Sequence, residues 1–246
     1  MKANAIAIAT CLLAACGRPA DPLPGFPRVM LWAWERPERL EFVDPHAVGV
    51  AYLARTISWR RGMLDSWPRM QPLKVPPGTA VMAVVRLESW TPPSATDSLR
   101  SLPDIEDVAR PVLEDAANPA VRAVQIDFDA RRSEREWYAA LLRRLETGLR
   151  GKKPLGITAL ASWCLGDPWV RELPVSDAVP MLFRMGKGEP RQVGDFSSGV
   201  CRASVGVATD ELPYAIPHGR RVFVFAPKGW TPEAYQAALL YARRFE

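Results

Sequence analysis

Apolar residues recur along the chain in short, nearly continuous runs rather than in long helical stripes. The runs are "RVMLWAW" (28–34), "GVAYLARTISW" (49–59), "TAVMAVVRLES" (79–89), "AVQIDFDA" (123–130), "LGITALASW" (155–163), "AVPMLFRM" (178–185), "SVGVATD" (204–210) and "RVFVFAP" (221–227). Such runs read as strands covered on both faces, the pattern of a parallel sheet. Helical periodicity falls between or after some of them. "DIEDVARPVLEDAA" (104–117) precedes the fourth strand. "SEREWYAALLRRLETGL" (133–149) follows it, with Ser133 and Glu136 spaced as a capping box. "TPEAYQAALLYARRFE" (231–246) closes the chain, with Thr231 at the N-cap and Pro232 at the first helical position.

Eight strands with intervening helices predict an α/β fold, a (β/α)8 TIM-like barrel. Some connections are too short or too irregular for a helix. "RRGMLDSWPRMQPLKVPPG" (60–78) reads as a hairpin with Gly62 near its turn, and residues 186–203 carry no helical period. The barrel is therefore expected to be reduced or irregular. An open, doubly wound sheet is the alternative.

The beginning of the chain changes the picture. "MKANAIAIATCLLAACG" carries an early Lys2, an apolar run and small residues before Cys16. That is the pattern of a secretory signal, too short to span a bilayer. Leu13-Ala14-Ala15-Cys16 resembles a bacterial lipobox, which implies cleavage after residue 15 and a lipid on Cys16. A plain signal peptide is the other reading. The expected organisation is a signal over 1–15, a lipidated Cys16 with a flexible Pro- and Gly-rich tether over 16–27, and one barrel domain over 28–246. The expected location is the periplasmic face of a bacterial membrane, with the outer membrane favoured. Membrane contact would run through the lipid on Cys16.

Composition then narrows the function classes. At 48% hydrophobic and 24% charged, the 246-residue chain is an ordinary globular protein. Its 32 basic side chains against 27 acidic ones become 31 once Lys2 is removed. The basic residues are scattered in pairs, with no nucleic-acid motif, so no nucleic-acid partner is expected. A weakly basic surface suits anionic lipid headgroups. Of four cysteines, Cys11 lies in the signal and Cys16 is the lipid site. Cys164 and Cys201 remain, and an oxidising compartment permits a disulfide between them. Two separate buried thiols are the alternative. With two histidines, neither near a cysteine, no metal spacing is present, and no cofactor is expected. The oligomeric state is not written in the sequence.

Candidate chemistry comes from where the strands end, because barrel sites of this type lie at the carboxyl ends. Those ends carry Trp34 and Glu35, Arg55, Arg86 and Glu88, Asp127 and Asp129, Trp163, Arg184, and Asp210 and Glu211. Asp127 and Asp129 are two apart on one strand and so face the same space. With Glu88 on the neighbouring strand they are the catalytic candidates for glycoside hydrolysis, which uses two carboxyl groups. Trp34, Glu35, Arg55, Arg86, Trp163, Arg184, Asp210 and Glu211 are the ligand-binding candidates, the tryptophans as platforms for sugar rings. The competing reading is a structural ion network in which Arg55, Arg86 or Arg184 neutralises the aspartates. A divalent ion on Asp127, Asp129 and a glutamate is also compatible with the letters.

"LWAWERPE", "GVAYLART", "VQIDFDARRSE", "ITALASWCLGD", "VPMLFRMG" and "SVGVATDE" together resemble the DUF3142 family of bacterial proteins, over nearly the whole of the domain. The resemblance implies a barrel distantly similar to glycoside hydrolases and no particular catalytic residue. "VQIDFDAR" also resembles the strand-four motif of family 18 chitinases, D-x-x-D-x-D-x-E. Asp127 and Asp129 match its second and third acids. Val124 stands at the first Asp and Arg131 at the catalytic Glu. Two functions follow as expectations: a lipoprotein that hydrolyses a cell-envelope glycan, or a noncatalytic lipoprotein that binds a glycan or a protein through a degenerate site.

Overall fold

The computed structural model describes residues 20–60, 63–90, 102–185 and 195–246. The signal segment, Cys16 and the Gly62 turn lie outside the described residues. Eight parallel strands close into a barrel: β1 (Val29–Ala33), β3 (Val48–Arg60), β6 (Val81–Ser89), β7 (Val121–Asp127), β8 (Leu155–Leu160), β9 (Asp177–Met181), β10 (Ser204–Ala208) and β11 (Arg221–Phe225). β1 pairs with both β3 and β11, and that double pairing closes the ring. Closure rules out the open doubly wound sheet.

The connections are as irregular as their sequences. Between β1 and β3 lies the two-residue β2 (Glu38–Arg39), paired with β5 (Leu73–Lys74). β4 (Met63–Pro68) folds back antiparallel on β3, from Arg60 opposite Met63 to Arg55 opposite Pro68. This is the hairpin that the 60–78 stretch predicts. Full helices cover only part of the ring: α1 (Ile105–Ala117) before β7, α2 (Arg135–Leu149) after it, and α4 (Pro232–Arg243) after β11. α3 (Ala161–Leu165) is a single short turn of helix after β8. The barrel is thus reduced on the side of its first three strands.

Caps account for where the helices begin. Asp104 accepts the Glu106 N–H at 2.8 Å ahead of α1, and Thr231 Oγ1 accepts the Ala234 N–H at 3.2 Å ahead of α4. The box before α2 sits earlier than Ser133 and Glu136 suggest. A 3-10 turn over 132–134 comes first, and Glu134 accepts the Arg131 N–H at 2.8 Å. Cys164 in α3 and Cys201 form a disulfide with Cα atoms 5.8 Å apart, tying the β8–β9 connection to the one before β10.

Alternation along each strand splits the core in two. Outward side chains such as Val85, Ile126 and Ile157 pack under the helices. Inward ones, including Met30, Trp32, Met82, Val84, Val179 and Phe223, fill the barrel. Leu23 and Phe26 belong to this inner cluster, at 1% and 7% exposure. Residues 20–27 are therefore not a flexible tether but a plug under the barrel. Its hydrogen-bonding partner is Arg221, buried at the start of β11. Arg221 pairs bidentately with Asp21 (2.9 and 3.1 Å) and donates to the carbonyls of Leu23, Phe26 and Pro27. A buried guanidinium needs its donors satisfied, and the folded lead-in supplies the acceptors.

Candidate active site

At the carboxyl end of the barrel a cavity of about 460 Å³ opens to solvent. One wall is polar: Arg86, Asp127, Asp129 and Thr158. The rest is apolar: Trp32, Trp34, Leu160, Ala161, Met181, Phe183, Met185 and Phe225. Arg184 stands at the edge.

The polar wall is set by β6, β7 and β8. Arg86 is the register partner of Asp127, so they are neighbours facing inward. Phe128, between the two aspartates, points the other way. It packs on Trp59, Trp137 and Tyr138 with ring centroids 5.5, 6.1 and 5.2 Å away. That anchor fixes the Asp-Phe-Asp segment with both carboxyls in the cavity wall, as the two-residue alternation requires. Thr158 Oγ1 donates to Asp127 Oδ1 at 2.7 Å. Asp129 makes no hydrogen bond or ion pair among the described residues. Burial pushes the Asp127 carboxyl above its ordinary value, against the Thr158 hydrogen bond; the Asp129 charge adds to the rise and Arg86 opposes it. Asp129 is exposed to solvent at the mouth, with the surrounding protein taking part of its hydration. Its carboxyl is also raised by that desolvation, with Arg86 working against it.

The apolar wall comes from the same alternation on the facing strands. Trp34 meets Phe225 edge-on at 5.9 Å, and Phe225 stacks on Phe183 at 5.9 Å with ring planes 22° apart. Trp32 closes the floor. Its Nε1–H donates to Gln125 Oε1 at 2.9 Å, and its ring lies over Gly206, where a Cβ would come within 2.8 Å of the indole. Only glycine leaves room for it. The Arg86 guanidinium sits 5.8 Å from the centre of the Trp34 ring.

Several candidates stand elsewhere. Arg55 is not in the mouth. The β3–β6 register shifts between Leu53 and Arg55, and this bulge reverses the alternation. Arg55 consequently points out to helix α1, in a bidentate pair with Asp115 at 2.7 and 2.9 Å. Trp163 is 3% exposed and packs edge-on against Trp169 at 4.9 Å in the outer core. β8 stops at Leu160 and the chain turns into α3, which carries Trp163 away from the mouth. Glu88 does not line the cavity with the aspartates. It pairs with Arg86 at 2.9 Å and lines a neighbouring groove together with Glu35, which accepts the Thr56 hydroxyl at 3.1 Å.

Arg184, Asp210 and Glu211 form a clasp at the rim, 2.6 Å from Asp210 and 2.9 Å from Glu211. The Arg184 hydrogen bonds hold the Asp210 carboxyl below its ordinary value, and its N–H and side chain do the same to Glu211. None of the three arginines proposed to neutralise Asp127 or Asp129 forms an ion pair with either. No group of three or more His, Cys, Asp or Glu side chains is placed to hold a metal among the described residues.

No protein-family model matches the sequence, and no curated protein matches it. A solved structure that it resembles is that of the Bacillus cereus spore cortex-lytic enzyme SleL, at 15% identity and a TM-score of 0.42. The match covers 75% of this chain and 51% of that one, so this chain spans about half the length of its neighbour.

Proposed function

We propose that the barrel mouth is a carbohydrate site, and that its aspartate pair assists hydrolysis of a glycan of the cell envelope. One observation carries the reading: two carboxyls with raised affinity for protons, free of arginine pairing, line a cavity whose remaining wall is aromatic and apolar. Sugars present apolar C–H faces and polar hydroxyl edges, so such a wall and such carboxyls suit the two sides of one ring. Asp129 is the proton donor. It is the more open of the two, and a carboxyl whose hold on its proton is strengthened by desolvation is suited to deliver that proton to a glycosidic oxygen. Asp127, held by Thr158, stabilises the positive charge that develops on the sugar, and a water molecule then bonds to the anomeric carbon and returns its proton to Asp129. DUF3142 membership, a lipid on Cys16 and residence at the periplasmic face of a membrane belong to the same proposal, on the sequence patterns given above.

The test is release of new reducing ends from purified envelope glycans. Wild-type protein is expected to release them, and Asp129→Asn to lose at least about 100-fold, the lower range for a general acid. Full activity in the variant overturns the role. A second reading, binding without cleavage, draws on one specific feature: the wall opposite the aspartates carries no carboxyl, and Glu88 is tied to Arg86. Binding with no released ends in any variant supports that reading.

A further inference from the structure

The end of the barrel opposite the mouth has its own cavity, also about 460 Å³. Its lining includes Ala20, Asp21, Arg28, Arg202 and Arg221. Ala20, the first described residue, stands in the wall of this cavity. Cys16 is four positions earlier in the sequence, a span of at most about 14 Å for extended chain. Exposed cations gather at this same end. Arg28 precedes β1 and Arg202 precedes β10. Arg150 and Lys152 lie in the turn before β8. Arg243 ends α4, and two residues beyond it the Phe245 carbonyl accepts the Gly219 N–H at 2.7 Å just before β11. Arg150, Lys152 and Arg243 enter no ion pair among the described residues. Two of the acids at this end are already engaged, Asp21 by Arg221 at 2.9 Å and Asp195 by Arg220 at 2.5 Å and Arg202 at 3.7 Å, whereas Glu146 and Glu246 enter no ion pair among the described residues.

We propose that this basic end docks on an anionic phospholipid membrane, with a headgroup phosphate in the Arg28–Arg202 cavity and the barrel mouth facing away from the bilayer. Charge complementarity and the place of Ala20 in the cavity wall both point to this occupant. Juxtamembrane arginines and lysines are drawn to an anionic leaflet within about a Debye length. The orientation fits the proposed lipid on Cys16, yet docking by charge is measurable without that lipid.

The experiment is co-sedimentation of the full chain carrying Cys16→Ser, which removes the lipid site. Vesicles of mixed phosphatidylglycerol and phosphatidylcholine are compared with phosphatidylcholine alone. The expected result is at least about tenfold stronger binding to the anionic vesicles. Arg28→Glu with Arg202→Glu should remove most of that preference, whereas Arg28→Lys with Arg202→Lys should keep it. If the reversed-charge variant fails to fold, Arg150→Ser with Lys152→Ser should lower the preference by a smaller factor. Equal binding to both vesicles, or a preference untouched by charge reversal, overturns the proposal. Mass spectrometry of Cys16 tests the lipid separately, so failure of the anchor and failure of the docking face are distinguishable.

Discussion

Thr158 Oγ1 donates to Asp127 Oδ1 at 2.7 Å, joining the ends of β7 and β8 beneath the open carboxyl of Asp129. The bond favours the charged form of Asp127, against the burial that raises its pKa. Thr158→Val removes the donor and keeps the shape. The Asp127 carboxyl should then titrate at still higher pH, and stability above that pH should fall by about 1.5–3 kcal/mol, the range for a hydrogen bond to a charged group. A carboxyl-detected NMR titration and urea unfolding report the two effects. An unchanged Asp127 titration would show that the hydroxyl does not tune it.

Asp177 lies at the closed end of the barrel, 1% exposed, with Ser204 Oγ donating to its Oδ2 at 2.6 Å and no partner for Oδ1. Burial pushes its pKa up from 3.8 to about 6, while Ser204 and Arg221 oppose the rise. The folded state therefore holds this proton more tightly than the unfolded chain. Its contribution is fully present below about pH 4 and is lost as the pH rises through about 6, a swing of roughly 3 kcal/mol. Asp177→Asn should remove this decline from the curve of unfolding free energy against pH. A decline of the same size in the variant would assign it to another group.

The disulfide between Cys164 and Cys201 closes a loop over a separation of 37 residues. Constraint of the unfolded chain by a loop of that size is worth about 3–4 kcal/mol. Cys164→Ser with Cys201→Ser should lower the unfolding free energy by about that amount in urea. Reductant should do the same to the wild type and nothing further to the variant.

Leu23 is buried with Met30 and Phe223 inside the barrel. Leu23→Ala should cost about 2–5 kcal/mol. Thermal unfolding measures it, and a freely mobile lead-in would give no change.

The strands were legible because their apolar runs are nearly continuous, and the aspartate pair because strand alternation is strict across Asp127, Phe128 and Asp129. The same alternation also carries Thr158, Met181, Phe183 and Phe225 into the cavity. These residues escape a search for charged strand ends, although in-phase positions on neighbouring strands would find them. Arg55 was misplaced because a single extra residue in β3 inverts every side chain beyond it, and nothing in "YLARTIS" marks a bulge. Trp163 was misplaced because an apolar run does not show where β8 gives way to α3. The Pro- and Gly-rich lead-in reads as a linker by composition. Its burial depends on Arg221, some 200 positions away, and local patterns do not show that partnership.

On the proposed function, a sugar occupies the mouth between the aspartates and the aromatic wall. The most direct test is a glycan-array binding assay on the full chain, with wild type beside Asp129→Asn and Phe183→Ala. Wild-type protein is expected to bind an envelope glycan, with binding weakened at least about tenfold by either substitution. Binding that survives both changes would put the ligand outside this cavity, and no binding by the folded wild-type protein to any glycan would contradict the carbohydrate assignment.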